Sequence, residues 1–116
     1  MNAKNICQSS FQHFIGRDVK KTENYHLMTA SSESDLRLYH LTLSPNYELN
    51  LSDLIREQGI TFTCISYSVF SGHAYLYLDG DETELHPSSL LLVTEDADHR
   101  IFNHGMSNLV LVFSLC

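Results

Sequence analysis

The sequence has 116 residues and a mass of 13.2 kDa, which suits one domain and leaves no room for two. Hydrophobic residues make up 43% of it and charged residues 18%, a balance that is typical of globular domains and excludes collagen, coiled coil and wholesale disorder. Seven basic side chains against 14 acidic ones give a formal net charge of −7, so we expect no nucleic-acid partner, because phosphate contacts need lysine and arginine.

Membrane and metal-knuckle classes are also disfavoured. No apolar run approaches the ~20 residues that a membrane-spanning helix needs, so we expect no membrane partner. Residues 1–8 lack the apolar stretch and cleavage site of a secretory signal, which predicts a cytoplasmic protein. The three cysteines, Cys7, Cys64 and Cys116, are odd in number and show no CxxC or CxxH spacing. This argues against a disulfide framework and a zinc knuckle.

Residues 1–35 give the weakest structural signals. Phe11, Phe14 and Ile15 have helical spacing and predict one short helical turn, but the residues that follow are polar. We therefore expect an irregular or partly helical N-terminal extension that packs on the rest of the domain.

Strand-like runs dominate from residue 36 onward. They cover 36–43, 61–70, 73–78, 82–85, 90–93, 100–102 and 109–115, and most are rich in β-branched, aromatic or alternating apolar residues. A single helical turn is predicted over 52–59, and Asp79-Gly80-Asp81 matches the Asp-Gly hairpin signal. Short strands at even spacing predict an antiparallel sandwich or barrel.

Two segments of the C-terminal half resemble the motifs of a small cupin. Val69-Phe70-Ser71-Gly72 resembles the strand and glycine that end the first cupin motif. The second motif reads G-D-x-x-x-x-P-x-G-x-x-H-x-x-x-N, and this chain matches it at His99 and Asn103 but lacks its Gly-Asp, proline and middle glycine. The resemblance spans about residues 45–116. It implies an all-β fold, a cupin-like antiparallel β-barrel or jelly roll (double-stranded β-helix), with the barrel in 36–116 of a single domain, 1–116.

The first cupin motif is where this chain departs from the metal-using members. In those proteins an H-x-H pair and a glutamate join the second-motif histidine around one ion. Counting back from Val69 puts the H-x-H places near Gly59 and Thr61 and the glutamate place near Ile65. Counting forward from residue 45 gives residues 52 and 54 instead, so the two registers imply an insertion around 52–59. Neither register supplies a histidine.

The missing ligands predict a metal-free protein. A lone His99 does not hold a catalytic ion well, since such sites generally use three protein ligands. We therefore expect no metal and no other cofactor. The alternative is an irregular ligand set in which Glu57 or Gln58, near the insertion, is turned inward.

Alternation along 61–70 places one set of side chains inside the barrel. If Val69 faces inward, Thr61, Thr63, Ile65 and Tyr67 share its face. The Tyr67 hydroxyl then needs a polar partner, which is either a small molecule or His99 or Asn103. His99 itself is either a pocket residue or a structural histidine bonded to a backbone carbonyl. The predicted ligand-binding residues are His99, Tyr67, Asn103, Ile65 and Leu76.

The face opposite Leu76 carries aromatic residues. Tyr75 and Tyr77 alternate with Ala74, Leu76 and Leu78, so they point outward if the latter are core. An outward aromatic face suits a subunit contact, and a small barrel also leaves strand edges to cover. We predict a homodimer, with coverage of that face within the monomer as the alternative.

The resemblance implies a function only by analogy, because one fold supports many activities. Our first hypothesis is small-molecule binding or sensing by a stand-alone barrel without a complete metal site. The alternative is a cupin-type enzyme, either metal-dependent with irregular ligands or a metal-free sugar isomerase or epimerase that uses His99 and Tyr67 as base and acid. A third class is a protein-interaction module with a solid barrel. Whether any catalysis occurs stays open at this point.

Overall fold

A computed structural model describes residues 16–30, 37–94 and 97–116. Within these ranges the chain forms ten strands and one helix: β1 (Gly16–Lys21), β2 (Tyr25–Ala30), β3 (Arg37–Leu43), β4 (Glu48–Asn50), α1 (Leu51–Glu57), β5 (Ile65–Ser71), β6 (Ala74–Leu78), β7 (Asp81–Leu85), β8 (Leu90–Val93), β9 (His99–Phe102) and β10 (Leu109–Leu115). No helix in the described ranges is long and apolar enough to cross a membrane.

The strands form two antiparallel sheets that enclose one core. The larger sheet has the order β1-β2-β3-β10-β5-β8, and the smaller has the order β4-β9-β6-β7. Side chains alternate along each strand: in β10, Leu109, Leu111 and Phe113 are buried, and the residues between them are partly exposed. Apolar side chains from both sheets form one hydrophobic cluster. The predicted all-β jelly roll is confirmed.

The first described segment differs from the prediction. Residues 16–30 form β1 and β2, which extend the larger sheet, and are neither irregular nor helical. Tyr25 and Leu27 supply the buried side of β2, which pairs along β3. The charged sequence of β1 concealed a strand because β1 lies at the sheet edge, where solvated side chains are favoured. The helical turn predicted at Phe11, Phe14 and Ile15 lies outside the described residues.

Strand β5 begins four residues later than predicted. Its buried positions are Ile65, Tyr67 and Val69, as the alternation indicates, but Thr61 and Thr63 are exposed in an irregular segment before it. The β-branched and aromatic residues of 61–64 favour a strand only weakly, and tertiary contacts override this preference. The three-residue strand β4 is too short to give a period in the sequence.

The Asp-Gly hairpin forms as predicted. Asp79 and Gly80 have φ angles of 50° and 95°, and they connect β6 to β7 with Leu78 opposite Asp81. Two successive positive φ angles fit a type I′ turn, whose twist matches that of the flanking strands. The Asp79 carboxylate also accepts a hydrogen bond from the Asp98 amide at 3.1 Å.

The sequence argued against a disulfide framework, and among the described residues the structure joins Cys64 and Cys116 in a single disulfide. The two residues extend the ladder between β5 and β10: Cys116 N–H donates to the Cys64 carbonyl at 3.0 Å, and Cys64 N–H donates back at 3.3 Å. Their Cα atoms are 5.2 Å apart, within the usual range for a cystine. The sequence does not reveal this pair, because the two cysteines are 52 residues apart and meet only through the pairing of β5 with β10.

Gly72 is the glycine whose replacement should cost most. It has a φ of 90°, and a Cβ there would lie 2.7 Å from the Asn108 carbonyl oxygen. Gly80 has a φ of 95° but open space around it, so its replacement by alanine carries the cost of a positive φ without a steric clash. We expect Gly80→Ala to lower the free energy of unfolding by about 1 kcal/mol and Gly72→Ala by about 3 kcal/mol or more. Urea midpoints measure both, and equal losses would contradict the clash.

Candidate functional site

Two of the predicted site residues meet inside the core. Tyr67 lies on the inner face of β5 in the larger sheet, and His99 begins β9 in the smaller one. The Tyr67 hydroxyl oxygen is 2.6 Å from His99 Nδ1, and neither side chain is exposed. The structure therefore joins the two sheets through a buried hydrogen bond, which we call the Tyr67–His99 pair.

Burial also sets the protonation of this pair. Enclosure in the core raises the pKa of Tyr67 well above 10, because the phenolate would lose its solvation. The hydroxyl therefore keeps its proton and shares a hydrogen bond with Nδ1 of the imidazole. The Phe62 ring approaches the imidazole edge-on, with centroids 5.9 Å apart.

Helix α1 packs beside the start of β9, where His99 lies. It begins where the Asn50 side chain accepts a hydrogen bond from Asp53 N–H at 3.0 Å, a standard N-cap. Leu51, Leu54 and Ile55 follow the helical spacing and are buried. The predicted helical turn in the insertion is therefore present, displaced by one or two residues and capped by Asn50.

Ser52 connects this helix to the pair. Its hydroxyl accepts a hydrogen bond from His99 N–H at 2.8 Å and donates to the Ala97 carbonyl at 3.5 Å. This contact was not predicted from the sequence, because Ser52 and His99 are 47 positions apart. Phe62 was missed as well, since the residues before β5 had been assigned to a strand.

We refer to residues 51–64, which are α1 and the irregular segment after it, as the cap. The cap connects β4 of the smaller sheet to β5 of the larger one, and it supplies both Ser52 and Phe62. The remaining contacts of the pair come from the barrel itself.

Asn103 lies away from the pair. It follows the far end of β9, ~13 Å along the strand from His99. Its amide nitrogen donates to the carbonyls of Leu43 and Ser107 at 2.9 and 3.0 Å, and its amide oxygen accepts from Gly105 N–H at 2.9 Å. The structure therefore does not bring Asn103 together with Tyr67 and His99, and the side chain joins the end of β3 to the loop between β9 and β10.

Ile65 and Leu76 are apolar and enclosed. Ile65 is on the same face of β5 as Tyr67, and Leu76 lies opposite Ile101 of β9 in the smaller sheet. Both have no exposed surface. With the cap in place, all five predicted residues are covered by protein atoms.

The residues of this site do not fit the three-ligand metal centre of metal-using cupins. His99 Nδ1 is engaged by Tyr67, and the place of the glutamate is held by Ile65. Glu57 is exposed and pairs with Lys20 Nζ at 3.1 Å, so it is not turned inward. Within the described ranges, no three histidine, cysteine or acidic side chains converge as a metal would require.

Comparisons with known proteins identify the fold. No protein-family model and no curated protein sequence matches this chain. Solved structures do: an RmlC-like cupin from Shewanella frigidimarina has a TM-score of 0.63 at 10% identity, covering 89% of this chain and 85% of that one. A cupin superfamily protein from Desulfitobacterium hafniense has a TM-score of 0.60 at 14% identity, covering 83% and 80%.

A third similar structure is the cupin domain of an XRE family transcriptional regulator from Enterobacter cloacae. Its TM-score is 0.62 at 14% identity, with 80% of this chain and 96% of that domain covered. Identities this low establish the fold alone. The chain is thus a cupin-like protein, as its second-motif residues indicated, and its chemistry must be argued from its own site.

The raised pKa of Tyr67 predicts a pH dependence of stability. A tyrosine in the unfolded chain ionises near pH ~10, whereas the buried Tyr67 keeps its proton at that pH. The free energy of unfolding is therefore unaffected below pH ~10 and falls as the pH rises above it. Tyr67→Phe should lower the free energy of unfolding by about 1–2 kcal/mol at neutral pH. Above pH ~10 the free energy of unfolding of this variant should fall less steeply than that of the wild type. Urea unfolding across that range measures both effects. Tyr47→Phe, outside the site, is the control, and parallel alkaline losses in wild type and Tyr67→Phe would refute the assignment.

Proposed function

We propose that this protein binds a small molecule at the Tyr67–His99 pair when the cap is displaced, and that it acts as a binding or sensing module without a metal. The observation that carries the proposal is the position of the pair. The pair is fully buried within the apolar core, and the short helix α1 reaches it through Ser52, whose hydroxyl accepts the His99 N–H. Small-molecule sites have this composition, with apolar walls and a few convergent polar groups.

The cap is suited to opening. A helix as short as α1 is not stable by itself and depends on the burial of Leu51, Leu54 and Ile55. Opening would expose the Tyr67 hydroxyl, the His99 ring and the His99 N–H that Ser52 now occupies.

These groups define the chemistry of the ligand. Ile65 and Leu76 favour an apolar ligand surface. The Tyr67–His99 pair, together with the His99 backbone N–H, favours a ligand that has one or two hydrogen-bonding atoms at one end. The ligand class is therefore a small, largely apolar molecule with a polar terminus. Asn103, which has its amide committed to backbone groups, is proposed to support the fold around the site.

The sugar-nucleotide enzyme is the weaker candidate. A diphosphate needs positive side chains, but the four arginines of the described residues are exposed. Three of them are engaged elsewhere: Arg37 with the Thr61 carbonyl at 2.8 Å, Arg56 with Asp53 at 2.7 Å and Arg100 with Asp98 at 3.0 Å. Burial also makes Tyr67 a weaker acid, because it raises its pKa.

A thermal-shift screen of small apolar molecules with a polar end tests the proposal. A compound at about 100 times its Kd should stabilise the wild type by about 2.7 kcal/mol, or about 10 °C in Tm. His99→Gln should abolish the shift, because it removes the imidazole that faces Tyr67. His86→Gln, on an exposed turn, is the matched control and should keep it.

Two outcomes would count against this function. If no compound stabilises the wild type, the solid-barrel interaction module becomes the better account. If elemental analysis of the purified protein finds about one iron, nickel, manganese or zinc per chain, lost in His99→Ala, the metal-free proposal fails.

We also propose that the protein is a homodimer through the edge of the larger sheet. Among the described strands, β8 pairs with β5 alone, and its outward side chains Leu90 and Leu92 are 79% and 60% exposed. An open apolar edge favours pairing with another chain, and a second antiparallel copy gives a closed two-fold contact. The Tyr75–Tyr77 face is less available, because Tyr75 stacks on His104 at 4.1 Å.

Charge substitutions distinguish the two surfaces. Leu92→Glu should weaken the dimer by about tenfold or more, since it places a carboxylate in an apolar contact. Tyr77→Glu should leave the dimer intact. Sedimentation equilibrium measures both. A wild type that stays monomeric at high micromolar concentration would contradict the dimer, and dissociation by Tyr77→Glu alone would move the contact to the smaller sheet.

A further inference from the structure

The disulfide lies at the end of the cap. Cys64 is the last cap residue, and Cys116 follows β10, so their bond ties the cap directly to the larger sheet. Two residues before Cys64, the Phe62 ring packs against the core and meets the imidazole of His99. The covalent link and the wall of the site are therefore parts of one short segment.

Hydrogen bonds at this end of the cap converge on one residue. The Cys116 carbonyl accepts from Thr63 N–H at 2.8 Å, from the Thr63 hydroxyl at 3.3 Å and from Cys64 N–H at 3.3 Å. One further tie is the hydrogen bond from Arg37 to the Thr61 carbonyl. Cys116 and Thr63 are exposed, and hydrogen bonds at exposed segment ends open readily.

We infer that the Cys64–Cys116 disulfide is a reversible thiol switch that fixes the cap, and with it Phe62, against His99. When the bond is present, the segment from Thr61 to Cys64 cannot separate from Cys116. When it is reduced, the contacts that the described residues leave to that segment are its hydrogen bonds to Cys116 and Arg37 and the packing of the Phe62 ring. This inference concerns the mobility of the cap and stands whether or not a ligand binds beneath it.

The chemistry is thiol–disulfide exchange with a small disulfide such as oxidised glutathione. One cysteine thiolate attacks a glutathione sulfur, which breaks its S–S bond, forms a mixed disulfide and releases one glutathione thiolate. The second cysteine thiolate then attacks the mixed disulfide, forms the Cys64–Cys116 bond and releases the other glutathione. The two cysteines lose two electrons, which the two glutathione molecules carry away with the protons. Cys116 is exposed and Cys64 partly so, which gives the reagent access.

The test uses the full chain with Cys7→Ser, so that one thiol pair remains. The sequence contains no tryptophan, and Phe62→Trp therefore places a unique fluorophore beside His99. Oxidised and reduced forms are compared by acrylamide quenching of this tryptophan. Hydrogen exchange of the Thr63 and Cys64 amides, measured without the tryptophan, keeps the test valid if Phe62→Trp fails to fold.

We expect reduction to increase the quenching and to speed exchange of these two amides about tenfold. Reduction should also lower Tm by about 10 °C. Cys116→Ser, which lacks the link, should behave like the reduced form with or without reductant. Millimolar glutathione buffers should interconvert the two forms of the folded protein, as alkylation and mass spectrometry would show.

Three results would overturn the inference. Two alkylatable thiols that persist in excess oxidised glutathione would show that the bond does not form. A bond that resists millimolar glutathione in the folded protein would be permanent. Equal quenching and equal amide exchange in the oxidised and reduced forms would show that the disulfide does not influence the mobility of the cap.

Discussion

The hydrogen bond between Tyr67 and His99 is the constraint on which the rest of this structure depends. A hydroxyl and an imidazole in an apolar interior each need a polar partner, and here they satisfy one another across the two sheets. Their geometry fixes the inward register of β5 and the start of β9. A shift of either strand by one residue would turn its polar group away and leave the other buried alone.

The cap follows from the same constraint. The His99 backbone at the start of β9 needs an acceptor for its N–H, and Ser52 provides it from α1. Leu51, Leu54 and Ile55 then join the hydrophobic core from the same helix.

Strong local signals made the barrel predictable from the sequence. Alternation placed Ile65 and Tyr67 inside, the Asp-Gly pair placed the hairpin, and His99 was recognisable from the second motif. The contacts that complete the site were not predictable, because Ser52 and Phe62 reach His99 from residues 47 and 37 positions away. Strand β1 was concealed by the charges of an edge, and the disulfide by a pairing between β5 and β10 that no cysteine spacing reveals. Asn103 matched the motif, yet its contacts are with backbone groups at the end of β3 and in the loop between β9 and β10.

The complete burial of the pair also has a kinetic consequence. A molecule that binds beneath the cap can reach Tyr67 only in the fraction of chains in which the cap is open. Its apparent dissociation constant is therefore the intrinsic one divided by that open fraction. Its rate of association levels off, with increasing concentration, at the rate at which the cap opens. Affinity in such a protein depends partly on the stability of a seven-residue helix. Substitutions in α1 that never touch the ligand would change the affinity for every ligand by the same factor and leave the selectivity unchanged.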